Sequence, residues 1–557
     1  MRTNVSQSKK ITILFLCLCL IQIALLVRRI VNDYSGALFW DEWDARLAMN
    51  VPLANLDFSL FWKQHNEHRL VFSKILYYLD FVWFNGSNTP LLVINVILAL
   101  FILFTFFKVL ELGYKHTDFN SATPQMYCLA IFSFSILQIE NFSWGFQSHF
   151  FLSVLFPLLS FYFYILYLIH DRLALFLITY LFSIFSIGTM ASGNFSILVI
   201  LLTAIFLKRP LLEIFSHLLA TLFLFGVYFK DYSSNHSSPL DTLIQHPDFI
   251  FKYVLAYFTN PLDQLINVQS HLLSTIFVLF LFLLLLKKTF EMFRTARYNW
   301  PSVVGLMIFV YSIMVATASA GGRFDFGTNQ ASASRYTTVS LIGWFGALLV
   351  ITQKRHDHQE PPRFNWYHLS FLVTILFIPF QIVNSAPAND VKFHRNFASI
   401  VLLQDILDDE SSRALYPDSS RIKYLSEFLI KEEKTIFNPE FKKKYSVNSY
   451  NLRDVVLVPN CLGFVDDIRS TSDQKGFIAS GWVTLINKES VIFNLISTNS
   501  KNEVTGIGFS GLIRNDVSNQ IGSWAKKSGF KMLTKEYPSQ IFAFDESGIK
   551  CELKLKG

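Results

Sequence analysis

Long apolar runs recur along this chain and limit the folds that it can adopt. Of its 557 residues, 52% are hydrophobic and only 16% are charged, whereas soluble proteins are about one quarter charged. The runs have the length of a helix that crosses a bilayer. Eleven spans are predicted, at 11–27, 91–107, 127–139, 150–169, 173–187, 195–207, 211–228, 271–286, 301–319, 338–352 and 364–383. The chain is therefore predicted to be a polytopic α-helical membrane protein with eleven transmembrane helices.

The basic residues predict how these spans are oriented. Lys and Arg gather in the connections on the same side as the N-terminus, for example Lys108, Lys208, Arg209, Lys287 and Lys288. Short cytoplasmic loops carry such an excess. The N-terminus is thus predicted to be cytoplasmic, and eleven spans place the C-terminus outside. The net charge of +7 arises at these helix ends, so it does not indicate a nucleic-acid partner.

The composition changes after residue 383. Residues 384–453 are charged and have a helical pattern, as in 421–430. From residue 454 the hydrophobic period becomes two, which predicts strands at 477–485, 490–497, 540–544 and 549–555. Several short strands imply a small β-sandwich or barrel. The predicted domains are a membrane domain at 1–383, a helical connector at 384–453 and a β domain at 454–557.

Two of the five cysteines, Cys461 and Cys551, fall in the β domain. An oxidising compartment outside the membrane permits a disulfide between them. A buried free thiol at Cys551 is the alternative, and the sequence does not choose between the two.

A group of acidic and aromatic residues, Trp40–Asp44 (the acidic cluster), follows the first span. Carboxylates at the edge of a membrane are partly desolvated, which tunes them for proton abstraction. Alternatively, Glu42 and Arg46 form a solvated salt bridge, since they are four residues apart on a helix. That alternative leaves Asp41 and Asp44 without a role. We therefore interpret Asp41, Glu42 and Asp44 as catalytic or substrate-binding residues.

A second polar group, HNEHR at 65–69, follows in the same predicted outside loop, at about 28–90 (the first loop). Its spacing differs from the HExxH zinc motif, in which the two histidines are four residues apart. Its mixture of donors and acceptors suits sugar hydroxyls or a phosphate. Substrate binding is therefore predicted for His65, Glu67, His68 and Arg69. A metal site and the polar face of an interfacial helix are the alternatives.

Two arginines stand out in the loop before the tenth span. Arg323 and Arg335 are its only basic residues, and arginine binds phosphate oxygens through paired hydrogen bonds. Tyr336 adds a hydroxyl, so all three are predicted to bind substrate. In the alternative, Arg323 pairs with Asp325 and Arg335 anchors a helix end.

The other outside loops are predicted at 140–149, 188–194 and 230–270. In the first of these, Asn141 and Gln147 are predicted to hydrogen-bond a sugar ring. A plain interfacial turn is the alternative for both residues.

These motifs and their order resemble the GT-C class of integral-membrane glycosyltransferases, and within it the bacterial serotype-converting glucosyltransferases that modify O-antigen. The shared motifs are WDEWD at 40–44, HNEHR at 65–69, ENFSWGFQ at 140–147, SGN at 192–194, and RFDFG followed by SRY within 323–336. The tail resembles a sandwich domain found behind such membrane parts, through Gly481-Trp482, Gly506-Ile507-Gly508, Arg514-Asn515-Asp516-Val517 and Gly529-Phe530. Asn515 departs from the usual proline.

The resemblance implies a GT-C-like membrane domain in the bacterial inner membrane, with an extracytoplasmic helical segment and a small β-sandwich in the periplasm. It implies inverting transfer of a sugar, glucose, from a polyprenyl-phosphate carrier such as undecaprenyl phosphate. The acceptor is the O-antigen of lipopolysaccharide or a related lipid-linked or surface glycan. A flippase and a donor-making glucosyltransferase are the implied partners, besides membrane lipid.

The resemblance also assigns roles to residues. Asp41 takes the proton from the acceptor hydroxyl, and Glu42 or Asp44 orients the acceptor. Arg335, with Arg323 or Arg69, meets the charge that develops on the leaving phosphate. No cofactor is expected, and a divalent metal is not required. Rival interpretations are an O-antigen ligase or polymerase, a lipid-linked sugar transporter or flippase, and a membrane anchor for the β domain.

Overall fold

The computed structural model describes residues 2–46, 58–113, 119–233, 239–266, 271–295, 298–352, 366–386, 390–446, 456–457, 460–488, 491–544 and 549–555. Contacts divide the chain into two compact units. The first unit comprises Met1–Val31, Pro52–Tyr77 and Pro90–Ala386; the second comprises Asn32–Val51, Tyr78–Thr89 and Pro387–Gly557. Two pieces of the first loop therefore belong to the unit that holds the C-terminal part. The predicted domains are continuous stretches of sequence and remain predictions.

Most of the described chain is helical. The α-helices are Arg2–Asp33, Ser59–Trp62, Val71–Trp83, Thr89–Glu111, Phe119–Ser133, Ile139–Ser143, Ser148–His170, Leu173–Ile187, Phe195–Phe206, Leu211–Phe229, Pro239–Gln245, Pro247–Ile266, His271–Thr295, Trp300–Gly322, Thr337–Ile351, Trp366–Asn384, Val391–Leu403, Asp409–Ser412, Ser419–Lys431, Pro439–Lys444 and Asn515–Ile521. Short 3-10 helices are Ile136–Gln138, Gly145–Gln147, Ala191–Asn194, Phe324–Phe326, Thr328–Ser332, Ser334–Tyr336, Thr435–Phe437 and Ser523–Ala525.

Nine helical segments among the described residues are long and apolar enough to cross a membrane. They are Lys9–Asp33, Thr89–Glu111, Ala122–Ser143, Gly145–His170, Leu211–Phe229, His271–Thr295, Trp300–Gly322, Ser334–Ile351 and Trp366–Asn384. The other two predicted spans correspond to shorter helices, Leu173–Ile187 and Ala191–Phe206. A helix rises about 1.5 Å per residue, so these fall short of the ~30 Å hydrocarbon core. The structure thus fits a multi-pass protein with nine candidate spans rather than the eleven predicted.

Side-chain amides satisfy the backbone where the third candidate span is interrupted. The helix that ends at Ser133 is followed by a break at Phe134, whose carbonyl accepts from Gln22 Nε2 at 3.3 Å and from Gln381 Nε2 at 3.1 Å. The Oε1 atom of Gln381 accepts from Ile136 N at 2.9 Å. Because lipid offers no hydrogen-bond partners, a break inside an apolar segment is stable only when protein groups fill it.

The predicted outside loop at 230–270 contains helices. Its described part contains the helices Pro239–Gln245 and Pro247–Ile266. The longer helix buries Tyr253, Tyr257 and Phe258. Charged residues interrupt its sequence, so it lacks the uninterrupted apolar run that marks a membrane span. Its apolar positions lie on one face and become visible only when they are read with a helical period.

The helices of the second unit share a core with part of the first loop. The buried residues of this core are Ala37, Leu38, Trp43, Ala398, Leu402, Leu415, Ile422, Leu425, Leu429, Ile436 and Phe437. The helical pattern predicted at 421–430 is confirmed, since it lies within Ser419–Lys431. Asp418 caps that helix by accepting from Arg421 N at 3.0 Å.

The C-terminal strands form one eight-stranded sheet. They are β1 (Val456–Leu457), β2 (Cys461–Ser470), β3 (Phe477–Leu485), β4 (Asn494–Thr498), β5 (Val504–Leu512), β6 (Gly529–Thr534), β7 (Gln540–Phe544) and β8 (Ile549–Glu552). Their order is β1-β8-β7-β4-β5-β6-β3-β2. The pair β1–β8 is parallel and the other pairs are antiparallel. Strands β3 and β7 begin and end at the predicted residues.

The predicted sandwich is wrong, because this single sheet curls into a half-barrel. Strand β2 lies beside the last residues of the sheet: Val465 N donates to Lys554 O at 3.0 Å, and Phe464 forms a parallel bridge with Lys554. Val465 and Leu553 share one buried core with Phe530. A period of two predicts a strand with one buried face, but it is the same for two facing sheets and for one curled sheet.

A disulfide joins the same two strands. Cys461 at the start of β2 is bonded to Cys551 in β8, and their Cα atoms lie 5.6 Å apart. That distance is within the usual range for a disulfide. The structure therefore selects the disulfide from the two alternatives that the sequence left open.

We expect loss of this disulfide to destabilise the half-barrel. The bond links residues separated by 90 positions, and a cross-link of that size stabilises a fold by about 4 kcal/mol by restricting the unfolded chain. In full-length Cys461→Ser/Cys551→Ser, the urea midpoint for proteolysis of the second unit should fall. Cys17→Ser, which removes an exposed free thiol, is the control. An unchanged midpoint in the double variant would contradict the expectation.

Candidate functional site

Packing holds the acidic cluster in the second unit. Trp43 is 1% exposed, and its Nε1 donates to Leu38 O at 3.0 Å. Residues 42–46 form a helical turn, and Ala45 N donates to the Asp41 carbonyl at 3.0 Å. Successive side chains of a helix point about 100° apart. The three carboxylates of the cluster consequently have different surroundings.

Glu42 lies in a buried charge network, which consists of Glu42, Arg46, Asp80 and Asn88. Arg46 Nη1 lies 2.7 Å from Asp80 Oδ2, and Arg46 Nη2 lies 3.7 Å from Glu42 Oε1. Asn88 Nδ2 donates to Glu42 Oε2 at 3.3 Å, and Asn88 Oδ1 accepts from Arg46. Burial raises the pKa of the Glu42 carboxyl, while the charges of Arg46 and Arg395 oppose that change.

The Glu42–Arg46 pair that the spacing predicts is present, but it is buried rather than solvated. Both side chains are 1% exposed, and Asp80, Asn88 and the Phe39 amide supply further polar contacts. A buried ion pair fixes one arrangement of its surroundings and is strongly destabilising when one partner is removed. This burial favours a positioning role for Glu42 over direct contact with a substrate.

Asp44 is held by two residues that are remote in the sequence. Its Oδ2 accepts from Tyr416 Oη at 2.6 Å, and its Oδ1 accepts from Arg421 Nη2 at 2.8 Å. Burial, and then the bond to Asp44, raises the pKa of the Tyr416 phenol to about 12, and the Asp41 carboxylate adds to this shift. Asp41 itself is half-buried. The structure thus places Asp41, Asp44 and Tyr416 close together.

Trp40 has an unusual backbone conformation next to Asp41. Its φ angle is 47°, in the left-handed region that bulky residues avoid. Trp40 N donates to Leu415 O at 2.7 Å, which holds this conformation, while the side chain is 45% exposed. A strained residue of this kind costs on the order of 1–3 kcal/mol and is found most often at functional sites.

The HNEHR group forms a tight turn in the first unit. His65 and His68 exchange backbone hydrogen bonds at 2.8 and 2.9 Å, and Asn66 adopts a φ of 47°, which asparagine tolerates. The interfacial-helix alternative is therefore wrong for these residues. Burial lowers the pKa of His68 to about 4. Neutral His68 accepts from Ala191 N through Nδ1, at 3.4 Å.

Arg69 binds backbone carbonyls rather than projecting outward. It is 4% exposed. Its Nε donates to Tyr228 O at 2.9 Å, Nη1 to Trp62 O at 2.9 Å and Nη2 to Lys230 O at 2.5 Å. Tyr228 and Lys230 lie where the Leu211–Phe229 helix ends, so Arg69 satisfies terminal carbonyls of that helix. These contacts favour a structural role for Arg69 over the predicted binding of phosphate.

The arginine loop, residues 323–336, joins two candidate spans of the first unit. Arg323 Nη2 lies 3.4 Å from Glu67 Oε2, and Arg335 Nη1 lies 2.8 Å from Glu140 Oε1. The two arginine side chains are 25% and 27% exposed. The structure therefore brings together Glu67 and Arg323, two residues that the sequence analysis selected independently.

The charges of Arg323 and Arg335 both reach one buried tyrosine, Tyr253, of the Pro247–Ile266 helix. Burial, followed by the neighbouring Tyr336, raises the pKa of the Tyr253 phenol, and the charges of Arg323 and Arg335 act in the opposite direction. Tyr336 is 6% exposed, and its ring centroid lies 5.7 Å from that of Tyr257. The arginine loop and this helix thus form one cationic and aromatic region.

Asn141 and Gln147 lie inside the protein. Asn141 is 0% exposed, and its Nδ2 donates to Arg335 O at 2.8 Å and to Thr338 Oγ1 at 2.7 Å. Gln147 is 1% exposed. Asn141 therefore holds the backbone of Arg335, which favours a positioning role over the predicted contact with a sugar.

The predicted site residues divide between the two units. Asp41, Glu42 and Asp44 belong to the second, and His65, Glu67, His68, Arg69, Asn141, Gln147, Arg323, Arg335 and Tyr336 belong to the first. Sequence reasoning missed Tyr416 and Arg421, which are 372 and 377 positions from Asp44, because no local pattern connects residues so far apart. Among the described residues, no group of three or more His, Cys, Asp or Glu side chains is arranged to hold a metal ion.

Neither the protein-family models nor the curated proteins contain one that matches this chain. An assignment of function therefore rests on the residues and on their geometry.

We expect Asp80→Asn to destabilise the second unit by about 3 kcal/mol, because it removes the closest counter-charge of a buried guanidinium. Proteolysis of the full-length protein in increasing urea measures the change. Asp405→Asn is the matched control, since its carboxylate is 74% exposed beside Lys423 and its loss should change stability by less than about 0.5 kcal/mol. Equal midpoints for the two variants would show that the buried charge network is dispensable.

Proposed function

We propose that this chain is a membrane glycosyltransferase of the GT-C type. It moves a hexose, for which we propose glucose, from a polyprenyl-phosphate carrier to O-antigen or a related surface glycan. The observation that carries the proposal is the pair of partly exposed arginines in the arginine loop. Each is paired with a carboxylate, and the charges of both favour the ionised form of the Tyr253 phenol.

The arginine pair suits the phosphate of a lipid-linked donor. Arg323 directly follows the candidate span Trp300–Gly322, and Arg335 lies at the start of Ser334–Ile351. Helix ends are where a lipid headgroup meets protein, and arginine keeps its charge there. Glu140 contacts only part of the Arg335 guanidinium, which carries five N–H donors. Glu67 and Glu140 therefore orient the arginines while donors remain for phosphate oxygens.

The acidic cluster suits an acid–base role. Glu42 belongs to the buried charge network, and Asp44 is bound by Tyr416 and Arg421. Asp41 lies beside the strained Trp40 and close to Tyr416. We therefore assign Asp41 as the base and assign Glu42 and Asp44 to its positioning.

In the proposed reaction, the acceptor hydroxyl oxygen attacks the anomeric carbon of the donor sugar. The bond between that carbon and the phosphate oxygen breaks, and Asp41 takes the hydroxyl proton. Polyprenyl phosphate leaves with the electron pair, and Arg335 and Arg323 stabilise its charge. One displacement inverts the anomeric centre. The proposal places this reaction on the periplasmic side of the bacterial inner membrane, with the N-terminus in the cytoplasm.

We expect Asp41→Asn to abolish sugar transfer, because it keeps the shape of the side chain but removes the base, which is worth about 10²–10⁴ in rate. Surface glycan from expressing cells is compared with wild type by mass spectrometry at matched protein level. The variant should lack a single-hexose mass increment. Glu427→Gln, an exposed change in the second unit, is the control and should keep it.

Three other outcomes of that experiment are informative. A single-hexose increment retained by Asp41→Asn would assign the base to another residue. Addition of multi-sugar blocks in wild type would favour a ligase or polymerase. If wild type adds no sugar in a host that supplies polyprenyl-phosphate glucose, the proposed function is wrong for that glycan.

We expect Arg335→Gln to weaken binding of short-chain polyprenyl phosphate by about 100-fold, since it removes charge-assisted hydrogen bonds to the phosphate. Arg335→Lys should fall between this variant and wild type, because lysine keeps the charge but not the paired geometry. Binding is measured by fluorescence anisotropy of a labelled lipid on detergent-purified protein. Arg172→Gln, an exposed change in the same unit, is the control. Equal affinities for all four proteins would contradict the role of Arg335.

A further inference from the structure

The Pro247–Ile266 helix carries two buried tyrosines that the proposed reaction does not use. Tyr253 and Tyr257 are 0% and 1% exposed. They are four residues apart, so their side chains lie on the same face of the helix. We call them the tyrosine pair. Four residues of helix rise span about 6 Å.

The hydroxyls of the tyrosine pair differ from those of other buried tyrosines in the first unit. Tyr257 Oη has no hydrogen-bond partner among the described residues, whereas Tyr253 Oη faces the Tyr336 phenol. In contrast, Tyr228 Oη donates to Glu67 O at 3.2 Å, and Tyr311 Oη donates to Ser153 O at 2.5 Å. A buried hydroxyl without a partner is unfavourable, and phenylalanine would fill the same space without that penalty. The Tyr257 hydroxyl, with the Tyr253 hydroxyl one helical turn away, therefore favours a polar ligand.

The surroundings of the pair indicate where that ligand lies. The ring of Tyr336 packs against Tyr257, with centroids 5.7 Å apart. At the other end of the helix, Phe249 packs against Phe324 at 4.9 Å. Phe324 directly follows Arg323, and Tyr336 directly follows Arg335. The helix therefore lies along both arginine-bearing ends of the arginine loop.

The charges near the tyrosine pair indicate which chemical groups the ligand carries. Arg323 and Arg335 act on Tyr253 electrostatically, and both are about one quarter exposed whereas the tyrosines are buried. The outer, cationic part of this region therefore suits an anionic group, and the inner part suits a neutral polar group. Aromatic rings with hydroxyls suit the faces and hydroxyls of a sugar. A polyprenyl chain, which is wholly apolar, would give neither hydroxyl a hydrogen bond.

We propose that Tyr253 and Tyr257 bind the hydroxyls of the sugar carried by the lipid-linked donor. This inference rests on the proposed function, because it takes Arg323 and Arg335 as the binding residues for the donor phosphate. The tyrosine pair then determines which sugar is accepted, while the arginines bind any polyprenyl phosphate. The two groups of residues make separable contributions to binding.

The test compares two lipids on the full-length protein in detergent: short-chain polyprenyl phosphate, and the same lipid carrying glucose. We expect Tyr253→Phe and Tyr257→Phe each to weaken binding of the glucose-carrying lipid by about fivefold, the usual effect of losing one neutral hydrogen bond. Binding of the sugar-free lipid should not change. Tyr180→Phe is the control, since its hydroxyl is bonded to His217 Nδ1 at 2.9 Å elsewhere in the unit.

A second measurement separates recognition from structure. Thermal unfolding of Tyr257→Phe should be no earlier than that of wild type, whereas Tyr311→Phe, which loses its bond to Ser153, should unfold earlier. Lower stability of Tyr257→Phe, together with equal weakening of both lipids, would overturn the proposal in favour of a structural role. Unchanged binding of both lipids would overturn it as well.

The wild-type protein separates this proposal from the one that it rests on. If wild type binds the two lipids equally well, the sugar-binding role of the tyrosine pair is wrong and the phosphate-binding role of the arginines stands. If wild type binds neither lipid, both proposals are wrong.

Discussion

The buried ion pair between Arg46 and Asp80 is the interaction on which the arrangement of the acidic cluster depends. Its atoms lie 2.7 Å apart and its side chains are at most 1% exposed, so neither charge is solvated and each requires the other. Asn88 and Glu42 complete the network. Together they tie two separate pieces of the first loop, Asn32–Val51 and Tyr78–Thr89, within one unit.

The same constraint, that polar groups inside a protein need partners, explains much of the first unit. Amide side chains such as Gln381 satisfy a helix break, and Arg69 satisfies the carbonyls at a helix end. These polar residues stand in apolar surroundings for a structural reason. Among the described residues, the Tyr257 hydroxyl is one of several buried polar atoms that the packing leaves without a partner, and its position beside the arginine loop is the reason that it carries a binding hypothesis.

Local patterns predicted part of this fold well. Nine of the predicted spans correspond to candidate membrane helices in the described part of the chain, and strands β3 and β7 lie at the predicted residues. In each of these elements the hydrophobic pattern depends only on residues that are close in sequence. The Pro247–Ile266 helix was missed because its charged residues interrupt the apolar run. In the candidate site, Arg323 and Arg335 were found because basic residues are scarce in their loop, whereas Tyr416 and Arg421 carry no local signal.

The sequence by itself determined the apolar helices, the alternating strands and the set of polar residues available outside them, because hydrophobic burial follows residue type and spacing. The tertiary structure alone decided that the strands close into one curled sheet and that Glu42 is buried while Asp44 pairs with Arg421. Those outcomes depend on which residues, far apart in the sequence, pack together inside the protein, where charges are poorly solvated. A carboxylate is neutralised, paired or exposed according to its neighbours in space, and for Asp44 these neighbours lie more than 370 positions away.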